Sequence, residues 1–170
     1  MEETETIDVV EVEEGSLKIV RAVGVLDDHY ASLREMIGIP PEDFDQYYQA
    51  ACRLLQKKRY EDAADAFFLL TTLEASSFDC WLQLGLAQQK QKHYDEALKS
   101  YGIAAIIDVD HPSPHVYAAE SYLALDKLNY AVESLRLAKQ CLKEGEEHLT
   151  IKHQIVQIAN LIKKMRQRQQ

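Results

Sequence analysis

The stretch "WLQLGLAQQKQKHYDEALKSY", Trp81 to Tyr101, sets a large aromatic three residues before the Leu84–Gly85 pair. A polar segment follows, and then Tyr94, Ala97 and Tyr101. Shifted by 34 residues either way, the pattern returns. Ala97 falls on Ala63 and Ala131, and Tyr101 on Phe67 and Leu135. Gly85 falls on Ala51 and Ala119, Leu84 on Ala50 and Ala118, Tyr94 on Tyr60 and Leu128, and Trp81 on Tyr47 and His115. Three copies, 44–77, 78–111 and 112–145, align without a gap. Self-similarity at a fixed period of this length is the mark of a repeat architecture.

The residue types explain the period. Each copy holds two helical segments around a short break, "KKRYEDA", "KQKHYDEA" and "LDKLNYA". Small residues at 51, 85 and 119 on the first helix, and 63, 97 and 131 on the second, let two helices approach closely. Tyr47, Trp81, Phe67, Tyr101 and Leu135 fill the gaps beside them. One helical hairpin cannot bury its apolar face alone, whereas stacked hairpins can. The expected fold is therefore all-α, a helical solenoid.

With its 34-residue period and W…LG…Y…A…Y pattern, the chain resembles the tetratricopeptide repeat over 44–145, best in the middle copy. The usual closing proline is missing; Pro112 and Pro114 lie just after the second copy. A narrower resemblance is carried by "YGIAAIIDVDHPSPHVYAAESYLAL", Tyr101 to Leu125, with its acidic-Pro-x-Pro junction and Ala-Ala-Glu. This stretch looks like the class II translocator chaperones of bacterial type III secretion systems. So does the order of a leading segment, three repeats and one closing helix, over roughly residues 16–165.

The flanks carry stripes of their own. Over 16–38, Ile19, Val23, Leu26, Tyr30, Leu33 and Ile37 follow a 4-3-4-3-4 spacing that predicts a helix, with Arg34 and Glu35 facing away. The stripe either docks on the repeats or pairs with a second protomer. The resemblance implies the second option, a homodimer through the N-terminal helix. "GIPPEDF" is expected to break the helix at Ile39, with Pro41 in the first turn of the next. After Gly145, an expected C-cap, Ile151, Ile155, Ile158, Ile162 and Met165 predict a helix over 146–165 that caps the last repeat, ending in a basic tail to 170. The organisation read from the sequence is thus an acidic tail at 1–14, a helix at 15–38, repeats at 39–145 and a cap at 146–170.

Charge and composition narrow the function. The net charge is −9, and the seven acids of residues 1–14, with no Lys or Arg among them, supply most of it. Such a block is usually solvated and unstructured. The near-neutral remainder argues against nucleic-acid binding. No apolar run is long enough to cross a membrane, and the N-terminus lacks the apolar core of a secretory signal. Cys52, Cys80 and Cys141 are scattered and odd in number, which fits a reducing compartment, the cytosol.

Catalytic and metal motifs do not emerge. The glycines are isolated, so no phosphate loop forms. His111 and His115 have metal spacing on a helix, but Pro112 and Pro114 between them start a helix rather than continue one. The reading is of a non-enzyme with no cofactor and no metal.

What remains is the groove. In stacked hairpins the first helices line the concave face, and the positions that point there include Tyr48, Cys52, Leu55, Leu82, Leu86, Gln89, Val116, Glu120 and Leu123, with Tyr117 beside them. An apolar strip open to water usually marks a partner site. Co-chaperones of the repeat family that clamp a carboxylate carry Lys, Asn and Arg at such places; here stand Tyr48, Cys52, Leu82 and Leu86. An extended apolar peptide fits this lining. The resemblance implies that the client is a hydrophobic translocator, shielded before secretion. The alternative is a scaffold whose groove binds a structured partner.

Overall fold

The computed structural model describes residues 32–142 and 149–168. Among them are eight helices and no strand: α1 Leu33–Met36, α2 Pro41–Gln56, α3 Tyr60–Leu73, α4 Phe78–Lys90, α5 Tyr94–Ile107, α6 Ser113–Ala124, α7 Leu128–Gln140 and α8 Leu149–Arg168. Consecutive helices pack pairwise from α2 to α7, which makes three hairpins in a row. The stack curves. Helices α2 and α4 touch, as do α4 and α6, while α3, α5 and α7 do not touch one another. The first helices therefore line the shorter, inner side.

The small residues sit where the period puts them. Ala63, Ala97, Ala119 and Ala131 are fully buried. Gly85 faces the Tyr101 ring so closely that an added Cβ would fall 2.5 Å from its Cε1. Tyr101 is itself buried, so the ring has nowhere to go. Phe67 and Leu135, the counterparts of Tyr101, are buried too. Tyr47 differs: it is half exposed, because among the described residues no hairpin precedes α2 to cover its outer side. Its counterpart Trp81 is partly covered and donates its Nε1–H to the Ala75 carbonyl at 2.8 Å.

Each hairpin turns by the same device. Lys58, Lys92 and Asp126, 34 residues apart, have φ of 60°, 68° and 57°. In the first, Lys58 N–H donates to Leu55 O and Arg59 N–H to Leu54 O; the pairs Lys92→Gln89, His93→Gln88 and Asp126→Leu123, Lys127→Tyr122 repeat it. This is the Schellman closure of a helix end, normally given to glycine. A left-handed non-glycine residue costs about 1 kcal/mol.

Both flanks depart from expectation in detail. Helix α1 ends at Met36, ahead of the prolines, because Gly38 takes a φ of 75° and closes the same kind of turn. Pro41 does open α2. Arg34 does not face away: it donates Nε–H to Glu74 Oε2 at 3.1 Å and Nη1–H to the Ile39 carbonyl, and lies over the Phe44 ring. Residues 1–31, with Ile19, Val23, Leu26 and Tyr30, lie outside the described residues, as does Gly145. At the other end α8 packs against α6 and α7, and Ile155, Ile158 and Ile162 join Val116, Ala119 and Leu135 in one core cluster. No helix among the described residues is long and apolar enough to cross a membrane.

Candidate functional site: the inner face of the first helices

Helices α2, α4 and α6 bring most of the expected groove residues onto one side. Tyr48, Cys52, Leu55, Leu82, Leu86, Gln89, Tyr117, Glu120 and Leu123 are all partly buried, none fully. Val116 is the exception. It is fully buried within the α6–α7–α8 cluster, so its side chain is closed to a ligand. Packing of α8 extends the core under the third repeat, and position 116 falls inside it.

The face is less free of internal duties than the sequence implies. Tyr48 packs edge-on to Phe67, ring centroids 5.8 Å apart, and with Cys52, Leu55 and Trp81 it leans on the core of the first two repeats. Burial pushes the Tyr48 hydroxyl well above its ordinary range, helped by Cys52 and Asp79. Burial likewise raises the Cys52 thiol, although a hydrogen bond with Tyr48 opposes it. Cys80 is pushed up to about 11 by burial. A thiol held protonated is a poor nucleophile, so these cysteines serve packing rather than covalent chemistry. Leu82 and Leu86 belong to no core cluster and remain open on the strip.

A polar chain crosses the face where the second and third repeats meet. Tyr101 donates its hydroxyl hydrogen to Gln89 Oε1, and Gln89 Nε2 donates to Glu120 Oε2 at 3.0 Å. This fixes the Gln89 amide and holds the Glu120 carboxylate in place. The Tyr117 ring lies 5.7 Å from that of Tyr101, and burial raises its hydroxyl as well. Sequence spacing placed Gln89 and Glu120 on the same concave face; their bond to the core through Tyr101 was not visible in it.

His111 and His115 do not form a ligand pair. His111 Nδ1 accepts the Ser113 backbone N–H at 3.2 Å, and its ring lies 4.6 Å from Phe78. His115 is partly buried, and burial lowers its pKa, favouring the neutral ring. Among the described residues no cluster of three metal-binding side chains occurs. What the sequence reading missed is the contribution of α8: Gln157 and Leu161 join Glu120 and Leu123 around an open cleft. The spacing of four between them was a signal, masked by the stronger isoleucine stripe on the same helix.

Comparison with known proteins points one way. The tetratricopeptide-repeat family profile matches residues 45–76 and 79–110. The low calcium response locus protein H of Yersinia pestis is 30% identical over 125 residues, 74% of either chain. The type III secretion translocator chaperone SycD of Yersinia enterocolitica, solved as an alternative dimer, superposes with a TM-score of 0.72 at 28% identity, covering 76% of this chain and 98% of that one. SycD solved with a peptide of the translocator YopD gives 0.71 at 28%, with the same coverage. On the strength of that shared sequence and of a helical stack that superposes over three quarters of the chain, the chain belongs to the translocator chaperones of bacterial type III secretion, a family built on the tetratricopeptide repeat.

Proposed function

We propose that the chain binds and shields hydrophobic translocator proteins in the bacterial cytosol before their secretion. It holds an extended client segment along the inner face of α2, α4 and α6. The observation that carries this is the pair Leu82 and Leu86, apolar, partly exposed and outside both core clusters. SycD, bound to a translocator peptide, supports the class of client. The mechanism is stoichiometric cover, without catalysis. Three apolar anchors at about 1.5–3 kcal/mol each give a gross attraction that ordering of the client offsets in large part. Micromolar or somewhat tighter binding follows, which leaves release feasible. A homodimer through the stripe that ends in Leu33 and Ile37 is part of the proposal; SycD is the relative known as a dimer.

The test is a titration with N-terminal segments of candidate translocators from the same genome. Leu82→Glu and Leu86→Glu should abolish binding, since a carboxylate would meet an apolar anchor with no counter-charge. Circular dichroism should report an intact fold. Tyr48→Ala should weaken binding less, at some cost in stability because Tyr48 also packs on Phe67. Folded Leu82→Glu and Leu86→Glu variants that bind like wild type would remove the client from this face.

A further inference from the structure

A cleft of about 490 Å³ opens between α6 and α8, at the C-terminal end of the inner face. Its size falls in the range of sites that enclose small ligands or side chains. Leu123 and Ala124 line one wall, Leu161 and Met165 the other, with Gln157 beside them. Leu161 is 48% exposed, while Ile158 and Ile162 on the same helix are buried. Glu120 also lines the cleft, as the one ionisable side chain among the lining residues. It is pinned there through Gln89 to the buried Tyr101.

Two facts say what enters. First, the cleft is continuous with the strip, since Glu120 and Leu123 belong to both. An extended chain passing Leu82 and Leu86 reaches the cleft without leaving the inner side. Second, the chemistry is apolar walls with one fixed carboxylate. It matches an apolar side chain that has a hydrogen-bond donor next to it, and a carboxylate accepts strongly from a charged donor. One turn before Gln157 on α8, Gln154 Oε1 is buried without a hydrogen-bond partner.

We propose that this cleft is an additional anchor site for the client segment, taking a bulky aliphatic or aromatic side chain flanked by a backbone amide or a basic side chain that donates to Glu120. The inference rests on the inner face being the client site, and it makes α8 a specificity-determining element as well as a cap.

The probe is a set of fluorescein-labelled peptides tiling the N-terminal segments of candidate translocators from the same genome, titrated into the full chain. Ala124→Trp adds bulk from an exposed position into the cleft, and Leu161→Ala removes a wall; circular dichroism checks both. Each should weaken the best peptide about tenfold. In the wild type, replacing the peptide's anchoring residue by alanine should cost the same factor. In Ala124→Trp it should cost almost nothing, as expected for a pair in contact. If both variants bind like wild type while Leu82→Glu abolishes binding, the inner-face reading stands and the cleft proposal is wrong. If Leu82→Glu also binds like wild type, both fall. If Ala124→Trp leaves peptide affinity unchanged but alters the sedimentation of the chain alone, the cleft serves contact between copies and the proposal is overturned.

Discussion

At the C-terminal end of the stack, Ile155, Ile158 and Ile162 are 3–6% exposed against the third hairpin; at the N-terminal end, Leu33, Met36 and Ile37 stand 41–74% exposed. The three isoleucines, and Leu33 and Ile37 at the other end, belong to stripes of helical period in the sequence. The difference lies in what each end offers. The last hairpin presents the open sides of α6 and α7, and α8 fills them as the next first helix would. The first hairpin receives α1 through a polar contact instead, Arg34 on Glu74, and this grip turns the apolar side outward. A period tells that a stripe needs cover; the neighbour decides whether the cover is in the same chain.

The largest effects should separate the two ends. Ile155→Ala should cost about 2–5 kcal/mol in urea denaturation, since it opens a cavity in the core cluster. Ile37→Ala should stay within about 0.5 kcal/mol, because its side chain already meets water. An equal loss at both positions would mean that the N-terminal stripe is seated after all. Within the stack, Gly85→Ala should cost about 1–3 kcal/mol against the Tyr101 ring. Gly102→Ala, with nothing within 4 Å of its added Cβ, should stabilise by about 0.5–1 kcal/mol in the same assay.

A smaller effect probes the polar grip. Burial works against the charged form of Glu74, but hydrogen bonds from Ser76 and Arg34 outweigh it and hold the carboxyl below its usual 4.5. A depressed folded pKa contributes stability above the unfolded value and loses it as pH falls through the folded one. Thermal melts of the wild type should therefore drop as acid is added below about pH 4.5. Arg34→Ala should lose less over that stretch, at an overall cost of about 1–3 kcal/mol, because both partners are mostly covered and removing Arg34 leaves Glu74 without its charged donor. The least change in fold stability should come from deleting residues 1–31. The urea midpoint should hardly move while sedimentation shows weaker self-association; an unchanged oligomer would end the dimer proposal.

The hairpins were legible in the sequence because three ungapped copies align on alanines and aromatics, each placed by close contact. Tyr47 and Val116 were misjudged for one reason. The repeat treats every copy alike, while the ends of a stack do not: among the described residues no hairpin covers the outer side of α2, and the last hairpin gains α8. The turn geometry was invisible, as Lys58, Lys92 and Asp126 sit where glycine would have announced a left-handed residue. The anchoring of Glu120 through Gln89 was hidden as well, since the bond depends on how two helices meet and not on a local pattern.

Those three turns also bear on time. Each closes across six residues, and loops of that size form in well under a microsecond. Contacts then join helices no more than two apart in the chain, so no distant part of it must be found first. Folding can begin at any hairpin and spread to the next. On the ribosome the hairpin of α2 and α3 is complete in sequence long before α8 is made. For that interval the third hairpin lacks its cover, and the inner face is assembled from its N-terminal side. A client segment therefore has two repeats to lean on before the last part of its site exists.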